Sequence, residues 1–139
     1  MSNTRMEIAT AVDAYVHATG RVLVNGLGLG MVIEGILQKP DVSYVRVIEI
    51  DHSVIELVGY HLKRKYPGRL DIVHDNAFEY RPTADDRYDY AWHDVWDEIS
   101  ADNLVSIRKL TTKWRKPRAQ KQGVWARDLI RRQEHRWNR

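Results

Sequence analysis

Apolar positions recur along this chain in two alternating rhythms. Between residues 4 and 18, Ile8, Val12, Tyr15 and Val16 stand at helical spacing and Gly20 ends the run, which predicts a helix packed outside a sheet. Residues 21–25 form a short β-branched run, the glycine turn Gly26-Leu27-Gly28-Leu29-Gly30 follows, and residues 31–38 take up helical period. Pro40 and Asp41 stop that helix, and residues 44–50 read as a second strand. Residues 52–66 return to helical period, with Val54, Val58 and Leu62 on one stripe. Lys63, Arg64 and Lys65 lie near its C-terminal end, where positive charge complements the helix dipole. Pro67 and Gly68 close it. Residues 70–74 and 88–93 predict a third and a fourth strand, the latter after the turn-rich segment 81–86. From Asp102 onward the expectation is helical: Leu104, Ile107, Thr111 and Trp114 share a stripe, Pro117 interrupts, and residues 124–135 form another helix with Trp125 and Leu129 inward.

Strands alternating with helices through short loops imply parallel strands joined by right-handed crossovers. The expected architecture is an open α/β sheet, mostly parallel and flanked by helices, with the first strand near the middle and a helical C-terminal tail. No internal repeat or low-complexity stretch divides the chain. A length of 139 residues, 43% of them hydrophobic, predicts a single domain with a core at about 20–100 and an extension at 101–139. No run of 18 uncharged apolar residues occurs and the first residues lack the apolar stretch of a secretory signal, so no membrane association is expected. The absence of cysteine excludes disulfides, thiolate metal sites and cysteine nucleophiles, and fits a cytoplasmic setting.

The net charge of +3 conceals a division. Residues 1–106 carry 10 Lys and Arg against 17 Asp and Glu, a net of −7, whereas residues 107–139 carry 12 against 2, a net of +10. Any nucleic-acid argument therefore rests on the C-terminal third.

A strand running through a glycine turn into a helix brings bare backbone and free N–H groups toward a ligand. The spacing fits neither GxGxxG nor GxxxxGK[ST]; what stands there is GxGxG at Gly26, Gly28 and Gly30. Such a turn is also compatible with a simple tight connection. The partner feature is an acid at the end of the second strand, where a carboxylate can grip both ribose hydroxyls. Glu49 and Asp51 both qualify, pointing to one face of an extended chain, although Asp51 is also placed to cap the following helix.

Residues 22–30, 47–51, 74–78 and 88–94 follow one another as do the motifs of class I S-adenosylmethionine-dependent methyltransferases, and they most resemble the spermidine-synthase-like branch. The resemblance implies a truncated Rossmann-like fold, with Gly26, Gly28 and Gly30 against the amino-acid part and sugar of S-adenosylmethionine and Glu49 on its ribose. In the third motif the family usually places an acid directly before the alanine, against the adenine amino group; here Asn76 holds that place, preceded by Asp75. Asn25 is also off pattern, because many members carry an acid nearby for the cofactor's amino group.

Tyr88, Asp89, Asp94 and Asp97 match the fourth-strand spacing of the spermidine-synthase-like proteins. The resemblance makes Asp94 a general base or substrate orienter that also borders the cofactor, and Asp97 a holder of a cationic substrate nitrogen. Aminopropyl transferases carry an N-terminal β-rich segment for which this chain has no room, so methyl transfer is the first reading, aminopropyl transfer the second and a non-catalytic cofactor-binding module the third. The acceptor, a small molecule or a nucleic acid, is not readable. His93 with Asp94 and Asp97 fits a hydrogen-bonded loop, and no metal is expected. Trp92 and Trp96 fit either stacking on a planar group or rim packing.

Four strands would leave the fourth with an open edge, to be covered by the C-terminal helices or by another subunit, which predicts a homo-oligomer. Basic residues interleaved with Trp114, Trp125 and Trp137 suit nucleic-acid binding, but the helical spacing of Trp125 and Leu129 favours tryptophans packed inward beneath a solvated basic face.

Overall fold

A computed structural model describes residues 11–95 and 103–125. Five strands form one sheet: β1 (Gly20–Asn25), β2 (Val42–Glu49), β3 (Leu70–His74), β4 (Tyr88–His93) and β5 (Ala119–Val124). Their order is β3-β2-β1-β4-β5, every pairing is parallel, and β1 stands in the centre as expected. This is a Rossmann-like arrangement. From β1 the chain winds outward through β2 and β3 on one side and through β4 and β5 on the other, so the order reverses beside β1.

The two directions of winding put helices on opposite faces. Helix α1 (Val12–His17) precedes β1, α2 (Met31–Leu37) links β1 to β2, and the β2–β3 crossover runs as α3 (His52–Val54), a π-helical segment (Ile55–Gly59) and α4 (Tyr60–Lys65). These pack on Val22, Val24, Val45, Val47, Tyr90 and Trp92. On the other face α5 (Leu104–Lys113) joins β4 to β5 and sets Leu110 and Trp114 against Leu23, Ile48 and Ala91. Trp92 and Trp114 are fully buried, and each contributes about 150–250 Å² to the two cores.

The β3–β4 connection, 75–87, carries no helix, and Asp86 holds it in place. Its fully buried carboxylate accepts from Thr83 N (2.8 Å), the Tyr80 hydroxyl (2.9 Å) and the Tyr88 hydroxyl (2.7 Å), and pairs with Arg46 at 3.2 Å. Burial by itself would raise this carboxyl; the Thr83 N–H, the two tyrosine hydroxyls and Arg46 outweigh it and hold the group below the usual aspartate range.

Two expectations are corrected. The tail is not helical throughout: α5 stops at Lys113, Pro117 lies in the turn that follows, and residues 119–124 then form β5 and pair with β4 along its length. The fourth strand therefore has no open edge, and the reason it gave for expecting a homo-oligomer falls away. The N-terminal helix keeps Tyr15 of its expected stripe against the core but not Val12 and Val16. Ala11, Ala14 and Ala18 face the core while Val12 and Val16 are 48% and 62% exposed. Small side chains are required because α1 lies close: a Cβ on Gly35 would run into the Tyr15 ring, and one on Gly123 would strike the Asp13 carboxylate and the Tyr90 hydroxyl that binds it. Residues 4–10, Trp96, Asp97, Leu129, Trp137 and the rest of the expected helix at 126–135 lie outside the described residues. No helix among the described residues is long and apolar enough to cross a membrane.

Candidate functional site

The C-terminal ends of β1, β2 and β4 meet where the strand order reverses, the place at which open α/β sheets bind ligands. A cleft of about 580 Å³ opens there, bordered by Gly26, Gly28, Glu49, Asn76, Phe78 and Asp94 together with Ile48, Ile50, Asp51, Val54, Ala77, Val95 and Trp125. That volume is within the ~300–1,000 Å³ of small-molecule sites. Six of the sequence candidates, Gly26, Gly28, Glu49, Asp51, Asn76 and Asp94, thus share one cavity. Gly30 and Asp75 are not among its lining residues.

The three glycines are there for three reasons. All have positive φ, at 103°, 54° and 83° for Gly26, Gly28 and Gly30. A Cβ on Gly26 would collide with the carbonyl oxygen of Asp94, so this glycine lets the loop after β4 close against the end of β1. On Gly30, the residue preceding α2, a Cβ would meet Val58 at 2.6 Å and Leu62 at 3.0 Å; this glycine seats the β2–β3 crossover. At Gly28 a Cβ would meet nothing within 4 Å. Only this glycine leaves room on the cleft side that no protein atom fills.

Glu49 is 9% exposed and its two oxygens clasp the backbone on either side of the cleft. Oε1 accepts from Leu27 N at 2.7 Å and Oε2 from Asp51 N at 2.9 Å. Each carboxylate oxygen keeps a further lone pair, so the group can hold the glycine turn and still receive two hydroxyls. Asp51 does take the capping position: its Oδ1 accepts from Ser53 N at 2.9 Å. Asp75 Oδ1 accepts from Asn76 N, and Asn76 Oδ1 from Phe78 N at 2.9 Å, an Asx turn that leaves the Asn76 amide N–H groups as donors. The Asp94 N–H is fixed by Asn25 O at 2.8 Å.

Several contributors were not visible in the sequence. Asn25, off pattern for a ligand contact, is fully buried, and its Nδ2 donates to His93 Nδ1 at 2.8 Å. An acceptor at Nδ1 places the imidazole proton on Nε2, which donates to Gln122 Oε1 at 2.7 Å, while Gln122 Nε2 binds Thr111 O at 3.0 Å. This polar row crosses β1, β4, β5 and α5 directly behind Asp94 and engages both ring nitrogens of His93. Its signal in the sequence was a polar residue at the end of each of two apolar strands. Lys113 was also missed. Its amine donates to the carbonyls of Ala77 (3.0 Å), Phe78 (2.7 Å) and Tyr80 (2.9 Å), which fixes the cleft wall, and burial keeps it below the ordinary lysine range. Trp92 lies wholly in the core, whereas Trp125 borders the cleft.

No protein-family model matches the chain. A curated relative, a polyamine aminopropyltransferase from Pseudomonas syringae pv. tomato, is 27% identical over 105 residues, which cover 71% of this chain and 37% of that protein. The chain thus spans little more than a third of the relative it matches. Among solved structures, a dimethyladenosine transferase from Plasmodium falciparum superposes with a TM-score of 0.58 at 19% identity, covering 79% of this chain and 37% of that one. A spermidine synthase bound to a transition-state analogue superposes with a TM-score of 0.51 at 24% identity, covering 70% and 35%. In fold this chain is therefore similar to the class I S-adenosylmethionine-dependent methyltransferases, and in sequence it is similar to a polyamine aminopropyltransferase.

Proposed function

We propose that the cleft binds S-adenosylmethionine and that the chain is a methyltransferase. The observation that carries the reading is Glu49, a nearly buried carboxylate at the end of β2 that closes the glycine turn and faces a cavity at the sheet's switch point. The residues fit that cofactor. Glu49 has lone pairs for two ribose hydroxyls, the space beside Gly28 admits a ligand against bare backbone, and Asn76 offers amide donors to a ring nitrogen of adenine. When bound, the cofactor supplies a methyl group made electrophilic by the sulfonium. The protein's part is alignment: an acceptor enters past Phe78 and Trp125, and Asp94, whose backbone is pinned by Asn25, orients it or takes its proton. Asp97, three residues further along the sequence, is assigned to a cationic substrate nitrogen, with cytoplasmic action and no resident metal.

Aminopropyl transfer is the second reading, favoured by the identity to the polyamine aminopropyltransferase. Calorimetric titration with S-adenosylmethionine, its decarboxylated form and S-adenosylhomocysteine separates the two. Methyl transfer predicts binding of the first and third, weakened at least tenfold by Glu49→Gln. A preference for the decarboxylated form establishes the second reading, and no binding of any of the three refutes both.

A further inference from the structure

Phe78 is shared between the cleft and the surface beside α5. It lines the cleft, and on its other side it forms one wall of a shallow groove whose opposite wall is α5, through Val105, Arg108, Lys109, Thr112 and Lys113. Residues 105, 108, 109 and 112 fall on one stripe of that helix, and all four are exposed. Lys113 spends its charge on the three carbonyls of the cleft wall, but the side chains of Arg108 and Lys109 make no hydrogen bond or ion pair among the described residues. The charge here is one-sided: the described segment 103–125 holds seven Lys and Arg and no Asp or Glu. A helix so charged draws a polyanion to its exposed stripe.

We infer that the groove between Phe78 and α5 is a docking track for single-stranded nucleic acid, with Arg108 and Lys109 on successive phosphates and Phe78 stacking on a base at the cleft mouth. This names an acceptor class for the methyl-transfer reading and rests on that reading for its catalytic meaning. Two features favour a nucleic acid over an acidic protein or a lipid surface. An aromatic ring 38% exposed stands beside the cations, and the track leads into a cleft flanked by a second aromatic, Trp125. Trp114 is fully buried, as inward packing of the tryptophans requires, and the exposed cations of α5 form the solvated basic face to which this inference adds a ligand.

The test is fluorescence anisotropy of a labelled 12-nucleotide single-stranded RNA, and of the DNA of the same sequence, with the full chain across a salt series. Arg108→Gln/Lys109→Gln is expected to weaken binding at least tenfold and to lower the slope of log affinity against log salt by about 1.4, from ~0.7 per lost phosphate contact. Phe78→Ala is expected to weaken binding about tenfold with the slope unchanged. Lys63→Gln/Arg64→Gln, the same charge removed from the far crossover helix, serves as control. Equal losses in both double variants, no loss in either, or displacement of the RNA by an acidic peptide or anionic vesicles of phosphatidylserine at equal charge overturns the inference. Calorimetry with S-adenosylmethionine on the same proteins is read separately: RNA binding without cofactor binding refutes the proposed activity and leaves the track standing.

Discussion

Replacing Gly26 and Gly28 separately by alanine is a sharp test of how the glycine turn works, because the two positions look alike in sequence and differ in space. At Gly28 the added methyl meets no protein atom within 4 Å, so the cost is conformational only. Its φ of 54° is in the left-handed region, where an L-residue costs ~1–2 kcal/mol relative to glycine. At Gly26 the φ of 103° lies beyond that region and the methyl overlaps the Asp94 carbonyl oxygen, which β-sheet pairing of β4 with β1 prevents from retreating. Backbone strain and the displaced loop together give a cost of about 3 kcal/mol or more. With a urea m-value of ~2 kcal/mol/M for a chain of this size, Gly28→Ala should lower the unfolding midpoint by about 0.5–1 M and Gly26→Ala by at least about 1.5 M. Gly28→Ala should nevertheless lose S-adenosylmethionine binding by calorimetry at temperatures where it is fully folded, because its methyl occupies the ligand side of the turn. Equal midpoints for the two variants would refute the assignment of separate roles, and full cofactor affinity in Gly28→Ala would refute the placement of the ligand against that residue.

The remaining predictions concern buried polar groups. Asp86 has its carboxyl held below the usual value in the folded chain, so it adds stability above its unfolded pKa of ~4 that is lost as pH falls toward the folded value. Asp86→Asn should therefore lower stability at pH 7 and flatten the acid limb of a pH-stability curve measured by urea denaturation between pH 3 and 7; an unchanged acid limb would dismiss the Arg46 and tyrosine contacts as its cause. His93→Ala leaves the buried Asn25 Nδ2 and the half-buried Gln122 Oε1 without this partner and opens a cavity, a loss of about 3–5 kcal/mol. In the intact protein, ¹⁵N shifts of the His93 ring should report the neutral Nε2–H form, and an Nδ1–H pattern would reverse the donor order of the row.

How much was legible can be traced through particular residues. β1 to β4 were readable because their runs are β-branched or aromatic and end in turn residues. β5 was not: Ala119-Gln120-Lys121-Gln122-Gly123-Val124 has almost no intrinsic strand preference, and pairing with β4 alone makes it a strand. The phase of α1 was misread for a related reason. Hydrophobicity favours valine inward, but the close approach of α1 to Gly35 and Gly123 turns the face of Ala11, Ala14, Ala18 and Tyr15 to the core instead. The π turn at Ile55–Gly59 left no mark in the spacing of Val54, Val58 and Leu62.

The sequence by itself determined the alternation of strand and helix, the glycine turn, the acid at the end of the second strand and the charge division, because each depends on neighbours within a few residues. The tertiary structure decided what those features touch. It gave the three glycines separate tasks, made Glu49 a clasp as well as a candidate ligand group, and buried Asn25 and His93 in a row that only the meeting of β1, β4 and β5 creates. It also set the basic stripe of α5 beside the cleft. Charge composition records how many cations a segment carries, while packing determines which of them are already spent and which still face an approaching ligand.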